Sequence, residues 1–498
     1  MQERPSLWRG TLTLTGAALA SRGLGLLYRM LLARFLGAEG LGFFQMIFPF
    51  YIALVTLAVA GTPVAVSQLV AEEQVNRPLL VRRALAVVFV TSLPLIALVI
   101  LAARPLAMLL YHDARFIPLL VTLAPALIAV GFSAVLRGYF VGTQRLRYPA
   151  FSQVAEQLSR VVILYTLINV WGYHAYSNAP LVAVALIPLG EGISLVILGI
   201  AYYRTFSTDF HSTVRPVFVS QILRLSIPVT LGRLLASLVG VIEAFLIPWR
   251  LEVTGMSTDN AVRYFGQLTG MAIPLILFPT ALSMALATNL IPVISQAQSR
   301  KDHASIQSTL IDSLNTTAVF TVPVTIFLLM FGVHLDDLFF HAHISPYLFY
   351  PLALGGFFLY FDITLSGALR GLGRTDIPMR NDLIASVVEL VLIWALTMHA
   401  SMASHGIALA IAIGFVVSPI LNTWNLMHLA KVSIPWRHIL AGPTMSAIPT
   451  IMALLTWHFW SLTHHPSPLP NLLISILLGG TAYIISLSMT GKALKVRR

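Results

Sequence analysis

Apolar residues run through this chain in stretches of about 20, parted by short polar or basic turns. The stretches show neither strict alternation nor a one-sided helical stripe, so each is expected to be apolar all round. That is the signature of a helix crossing a hydrocarbon core roughly 30 Å thick. About fourteen such runs follow one another, from 11–33 and 41–70 at the start to 438–460 and 470–489 at the end. Backbone groups find no water inside a bilayer, so helices are the expected form of every run.

Two stretches of the pattern repeat. Residues 132–163 and 361–392 align without a gap at an offset of 229, with identities at Phe132/Phe361, Leu136/Leu365, Gly138/Gly367, Gly142/Gly371, Arg145/Arg374, Pro149/Pro378 and Val162/Val391. Both copies read as an apolar helix, a Gly-containing basic turn and a second apolar helix. Ser67-Gln68 after Pro63 parallels Ser295-Gln296 after Pro292. The expected fold is an all-α polytopic membrane protein of about 14 transmembrane helices, arranged as two six-helix repeats plus a C-terminal helix pair. Residues 1–215 form the first six-helix bundle, 216–430 the second, and 431–498 carry helices 13 and 14. Each half holds an even number of spans, so the repeats are parallel. A membrane protein of two repeated halves is the usual build of a transporter with alternating access.

Helix-weakening residues fall in the same span of each half. Pro49 and Pro63 lie in span 2, and Pro274, Pro279 and Pro292 in span 8, with Gly266 and Gly270 before them. Proline frees carbonyls that neighbours must satisfy and kinks a membrane helix. Static helix contacts and bending during transport both account for them, and the second reading makes these prolines gating hinges.

Composition sharpens the class. The chain is 57% hydrophobic and 10% charged, with a formal net charge of +12. Twenty-one of the 31 Lys and Arg fall on the side that holds both termini, five on the other side and five within spans. That asymmetry is the positive-inside rule, so the basic excess orients the protein in a membrane and argues against a nucleic-acid partner. Both termini are expected in the cytoplasm. The chain has no cysteine, which excludes disulfides and thiolate metal sites. The first apolar run carries Arg22 and reads as a retained helix rather than a secretion signal. Ten of fourteen histidines, among them His174, His334, His458 and His465, lean toward the outer side. His341 and His343 with Asp336 and Asp337 form a loose metal-type grouping that outer-loop polarity explains as well.

Ionisable residues inside spans carry the candidate chemistry, since they cost roughly 2.5–3.5 kcal/mol at the bilayer centre and face polar interiors. The first half holds Arg22, Arg29, Arg137, Glu156, Arg160 and Glu191, for a sum of +2. The second holds Arg233, Glu243, Asp362 and Glu389, for a sum of −2, and Arg160 aligns with Glu389 across the repeat. Glu156 and Arg160, spaced i,i+4, can also neutralise each other on one helix face, and Arg29 can snorkel to outer headgroups. Arg22 lies in mid-span with no acid three or four residues away. Guanidinium groups suit bidentate phosphate binding. Arg22, Arg29, Arg137 and Arg160 are therefore the expected contacts of an anionic, phosphate-bearing substrate. Glu156, Glu191, Arg233, Glu243, Asp362 and Glu389 are candidates for a cavity wall or for ion coupling. No Walker loop and no His-Glu-x-x-His occurs, and the loops are too short for a catalytic domain, so the chain is not expected to be an enzyme.

Several segments then carry a family likeness. Ala33-Arg34-Phe35-Leu36-Gly37-Ala38-Glu39-Gly40-Leu41-Gly42 resembles the Arg-x-Leu-Gly-x-x-Gly-x-Gly turn of the polysaccharide-exporter and stage V sporulation protein B families. Gly61-Thr62-Pro63-Val64-Ala65-Val66-Ser67 with Glu72-Glu73, and 264–296 with Tyr264, Gly266, Pro274, Pro279, Asn289, Pro292 and Ser295, are similar in the same way. These families belong to the multidrug/oligosaccharidyl-lipid/polysaccharide exporter superfamily. The resemblance implies flipping of an undecaprenyl-pyrophosphate-linked cell-wall precursor, lipid II or a related lipid-linked oligosaccharide, across the bacterial cytoplasmic membrane. Ser21-Arg22-Gly23-Leu24-Gly25 matches the Ser-Arg-x-Leu-Gly of MurJ-type flippases, which implies the substrate-binding role for Arg22; Arg29 stands one position late for the second such arginine. Span 2 has no arginine between Gln45 and Val70, and Gln267 stands near the span-8 position where MurJ-type proteins carry one. The resemblance further implies a lipid-tail groove in helices 13 and 14, membrane lipids and cell-wall synthesis proteins as partners, and no cofactor beyond a coupling ion, H+ or Na+, or the membrane potential. A drug or cation antiporter of the same superfamily and a non-transporting scaffold for wall synthesis are the alternatives.

Overall fold

A computed structural model describes residues 7–72, 75–171, 179–206, 218–464 and 468–496, and every regular element among them is helical. The sequence-based join at 215/216, Glu73, His174 and His465 lie outside the described residues. By contact density the chain separates into two compact units, one of residues 1–252 with 256–270 and the other of 253–255 with 271–498.

The first unit begins with α1 (Leu7–Val59), which is broken at Gly37, where φ 66° and ψ −179° leave the helical region. A positive φ with extended ψ is open only to glycine, so the sequence dictates a turn between spans 1 and 2 at this point. A second left-handed pair, Ala60 and Gly61, separates α1 from α2 (Thr62–Val70). Then come α3 (Arg77–Leu101), the short α4 (Ala103–Leu106) with a π-helical turn at Ala107–Tyr111, α5 (Phe116–Leu123), α6 (Ala126–Gly142), α7 (Arg147–Trp171), α8 (Ala179–Phe206), α9 (Val219–Val253) and α10 (Thr258–Phe265). A π-helical segment, Gly266–Ala272, leads to α11 (Ile273–Leu277). The second unit continues with α12 (Thr280–Ser299), α13 (His303–Phe340), α14 (Pro346–Gly371), α15 (Asp376–Leu396), α16 (Ala403–Leu429), α17 (Trp436–His464) and α18 (Pro468–Val496).

Eleven of the described stretches are long and apolar enough to cross a membrane. The sequence shows about fourteen runs because the first stretch, Ala20–Val70, is 51 residues long and holds two of them. In addition, α7 and α15 fall outside the set, and both are diluted by charge: Glu156 and Arg160 in α7; Arg380, Asp382 and Glu389 in α15. Large apolar side chains such as Leu101 and Leu477 stay exposed, as expected where lipid tails are the solvent.

Both units build their cores from equivalently ranked spans. In the first, Val66, Leu80, Leu136, Leu198 and Ile222 meet from α2, α3, α6, α8 and α9. In the second, Leu290, Leu314, Leu365, Leu426 and Ile439 meet from α12, α13, α14, α16 and α17. The repeated glycines sit at the tightest crossings. A Cβ on Gly138 would lie 2.5 Å from the Pro63 carbonyl, and one on Gly142 2.5 Å from the Ser67 carbonyl. In the second copy, Gly367 and Gly371 meet α12 the same way, at Ala287 and at Ile294 and Ile291. The turns that follow also match: Arg145 N–H donates to the Phe140 carbonyl at 2.9 Å and Arg374 N–H to the Leu369 carbonyl at 3.0 Å. Both close over a left-handed residue, Gln144 or Gly373. The final pair, α17 and α18, packs on α13 through Val322, Ala447 and Tyr483.

Candidate functional site

Three spans of the first unit bring four charged side chains together. Arg137 comes from α6, Glu156 and Arg160 from α7, and Glu191 from α8. Arg137 Nη2 donates to Glu156 Oε2 at 2.8 Å and to Ser194 Oγ at 2.8 Å. Arg160 Nη2 reaches Glu156 Oε1 at 2.9 Å, one helical turn along α7. Glu191 is held less closely, with Oε1 3.4 Å from Arg160 Nη2 and Oε2 3.7 Å from Arg137 Nη2. All four are largely buried; Arg137, at 23% side-chain exposure, is the most open. The charges cancel, which is what an apolar surround requires of buried ions.

The i,i+4 neutralisation of Glu156 and Arg160 anticipated from spacing is therefore present, and it extends to a four-membered box. Arg137 and Arg160 are balanced by Glu156 and Glu191, while Arg22 and Arg29 lie on α1. Arg22 is exposed and Arg29 half-buried, on the helix that also carries Tyr28 and Tyr51. Among the described residues, the hydroxyls of these two tyrosines are buried without a hydrogen-bond partner, as are Nε of Arg137 and Arg160.

In the second unit, Asp362 of α14 is buried and accepts from Ser418 Oγ at 3.0 Å and Asn422 Nδ2 at 2.8 Å, both on α16. Ser418 Oγ also stands 2.7 Å from Asp382 Oδ1 on α15. A hydroxyl has one hydrogen, so it cannot donate to both carboxylates; the arrangement has room for one more proton between them. Asn381 and Ser366 extend the network through Asn422, at 2.8 and 3.1 Å. Sequence reasoning found Asp362 but missed Asp382, Ser418 and Asn422. A usable signal was there, since Ser418 and Asn422 sit one turn apart on an apolar helix. Of the remaining candidates, Arg233 is exposed on α9, Glu243 is half-buried on the same helix, and Glu389 lies against Gly414 of α16.

The five prolines divide by role. Pro63 and Pro274 occupy the first turn of α2 and α11, and Pro279 precedes α12, so each restarts a helix after an interruption. Pro49 and Pro292 lie inside helices. Spans 2 and 8 are thus interrupted, span 8 also through its π-helical turn, and the span 116–142 is broken as well, between α5 and α6. The turn at Gly37 packs on α10 and the π-helical segment without room for side chains. A Cβ on Gly42 would strike the Val262 carbonyl, and one on Gly266 the Ala38 carbonyl. Arg115 ties the same place together, 2.7 Å from Asp113, 3.0 Å from Asp259 and 3.5 Å from Glu39, with its guanidinium 4.5 Å from the Phe43 ring centre.

Among the described residues, no group of three or more His, Asp or Glu could hold a metal ion. The His341, His343, Asp336 and Asp337 grouping does not assemble: Asp336 is fully buried, whereas His343 and Asp337 are exposed and 3.5 Å apart.

A family model described as "Polysaccharide biosynthesis protein" matches residues 7–298, and a second, MatE, matches residues 268–395. Stage V sporulation protein B of Bacillus subtilis (strain 168) is 29% identical over 441 residues, 86% of this chain and 84% of that protein. A solved lipid II flippase MurJ in an inward closed conformation shares the fold at a TM-score of 0.74 and 17% identity, over 97% of this chain and 99% of that one. An inward-facing multidrug resistance MATE family transporter does so at 0.68 and 16% identity, over 82% and 95%. The chain belongs to the polysaccharide biosynthesis protein family within the multidrug/oligosaccharidyl-lipid/polysaccharide exporter superfamily, and is a multi-pass membrane transporter.

Proposed function

We propose that this protein flips an undecaprenyl-pyrophosphate-linked cell-wall precursor, lipid II or a related lipid-linked oligosaccharide, across the bacterial cytoplasmic membrane by alternating access, with both termini in the cytoplasm. The observation that carries the reading is the first unit's arginine set, two residues converging from separate spans and two more on α1, one of them in the Ser21–Gly25 motif. Guanidinium is the side chain best matched to a diphosphate, both in charge and in its forked donors. Relatives named for sporulation and for lipid II flipping support the same substrate class. Spans 2 and 8 are the bending elements. The Asp362–Ser418–Asp382 network takes the coupling ion, with Glu389 of the same unit and Glu243 of α9 as further candidate acids. The terminal pair holds the polyprenyl tail.

The test is flipping of a labelled polyprenyl-pyrophosphate sugar by the purified protein in liposomes. Arg22→Ala is expected to insert normally and to abolish flipping; normal flipping by that variant removes Arg22 from the site. A second reading, a drug or cation antiporter, draws on the acidic pair of the second unit, of which Asp362 is buried, and on the MATE-like fold. Cation uptake in the same liposomes without movement of the pyrophosphate lipid would favour it, and movement of neither would leave a scaffold.

A further inference from the structure

We propose that Glu191 is a displaceable internal counter-ion, which holds the guanidinium groups of Arg137 and Arg160 until the substrate's diphosphate takes its place. The proposal rests on the reading that these arginines contact that diphosphate. A box of two guanidinium groups and two carboxylates is already neutral, so an entering anion gains little from it unless one carboxylate gives way. The distances say which one. Glu156 bridges both arginines at 2.8 and 2.9 Å, whereas Glu191 stands 3.4 and 3.7 Å from them. Glu191 Oε2 is buried without a hydrogen bond. Glu156 is further fixed by sharing α7 with Arg160, while Glu191 comes from α8, which carries neither arginine.

The unused donors point the same way. Nε of Arg137, Nε of Arg160 and the hydroxyls of Tyr28 and Tyr51 are buried and without hydrogen-bond partners, although a carboxylate with a free oxygen stands beside the arginines. A flat carboxylate has two oxygens in one plane and does not reach these donors. A diphosphate presents oxygens in several directions and can engage Nε and Nη of an arginine together. Glycines flank Glu191: a Cβ at Gly190 would lie 2.5 Å from Arg160 Nε, and Gly192 has nothing within 4 Å. Gly190 thus lets the Arg160 side chain lie against the α8 backbone, next to Glu191.

The experiment titrates inorganic pyrophosphate into the purified full-length protein in nanodiscs by calorimetry. Glu191→Gln removes the competing charge and is expected to bind about tenfold tighter than wild type, while Arg160→Ala binds more weakly than wild type. Unchanged or weaker binding by folded Glu191→Gln, with Arg160→Ala still impaired, overturns the counter-ion role and leaves the site reading standing. Equal binding by wild type and Arg160→Ala overturns the site reading itself. Where Glu191→Gln does not fold, Glu191→Asp keeps the charge but shortens the reach; tighter pyrophosphate binding by it supports the role, and no gain overturns it.

Discussion

Glu156 is the residue on which two arginines depend. Its two oxygens take one guanidinium each, so neither Arg137 nor Arg160 keeps its nearest anionic partner once it is removed. Breaking a buried ion pair from one side leaves an uncompensated charge and costs about 3–5 kcal/mol. Glu156→Ala is therefore expected to lower the thermal unfolding midpoint in detergent well below that of Glu191→Ala, which removes only the longer contacts. Equal losses for the two variants would contradict the geometry. The arginines, the i,i+4 pair and the acidic residues were all legible as charges misplaced in apolar runs. Their grouping was not, because it joins α6, α7 and α8 across 57 positions of sequence between Arg137 and Ser194.

At the scale of elements, the repeat glycines are the points where helices touch backbone to backbone. Gly138→Leu and Gly367→Leu each place a side chain where α2 or α12 already stands. Overfilling a closed contact typically costs about 1–3 kcal/mol, and both variants should show it as reduced melting temperature in detergent. Leucine at Gly25, which has nothing within 4 Å, should leave the melting temperature unchanged. Interrupted spans behave differently, since Pro63, Pro274 and Pro279 restart helices rather than break them. Pro274→Ala and Pro279→Ala should preserve the fold and slow flipping in liposomes, because they stiffen a span proposed to bend. Unaltered flipping rates would make these prolines static features. The break at Gly37 and the prolines were readable in sequence, because φ preference and a missing N–H are local properties. The π-helical turns at 107–111 and 266–272 were not readable, since a register change of that kind is settled by neighbouring helices.

For the whole molecule, the Asp362–Ser418–Asp382 network, in the unit that lacks the arginine box, is the proposed proton or cation site. Asp382→Asn and Ser418→Ala are expected to leave pyrophosphate binding intact while transport loses its dependence on an imposed pH or Na+ gradient. Retained gradient dependence in both variants would move the coupling site elsewhere. The sequence on its own determined that the chain is helical, crosses a membrane many times and carries a repeated turn. All of these follow from local hydropathy, chain-neighbour sterics and the cost of charge in lipid, which are properties of a segment and its solvent. Only the tertiary structure decided which charges are spent on each other. Whether Arg137 faces a substrate or a glutamate depends on side chains from other helices meeting within about 3 Å, the range at which charge-assisted hydrogen bonds form. No feature of a single segment encodes that distance.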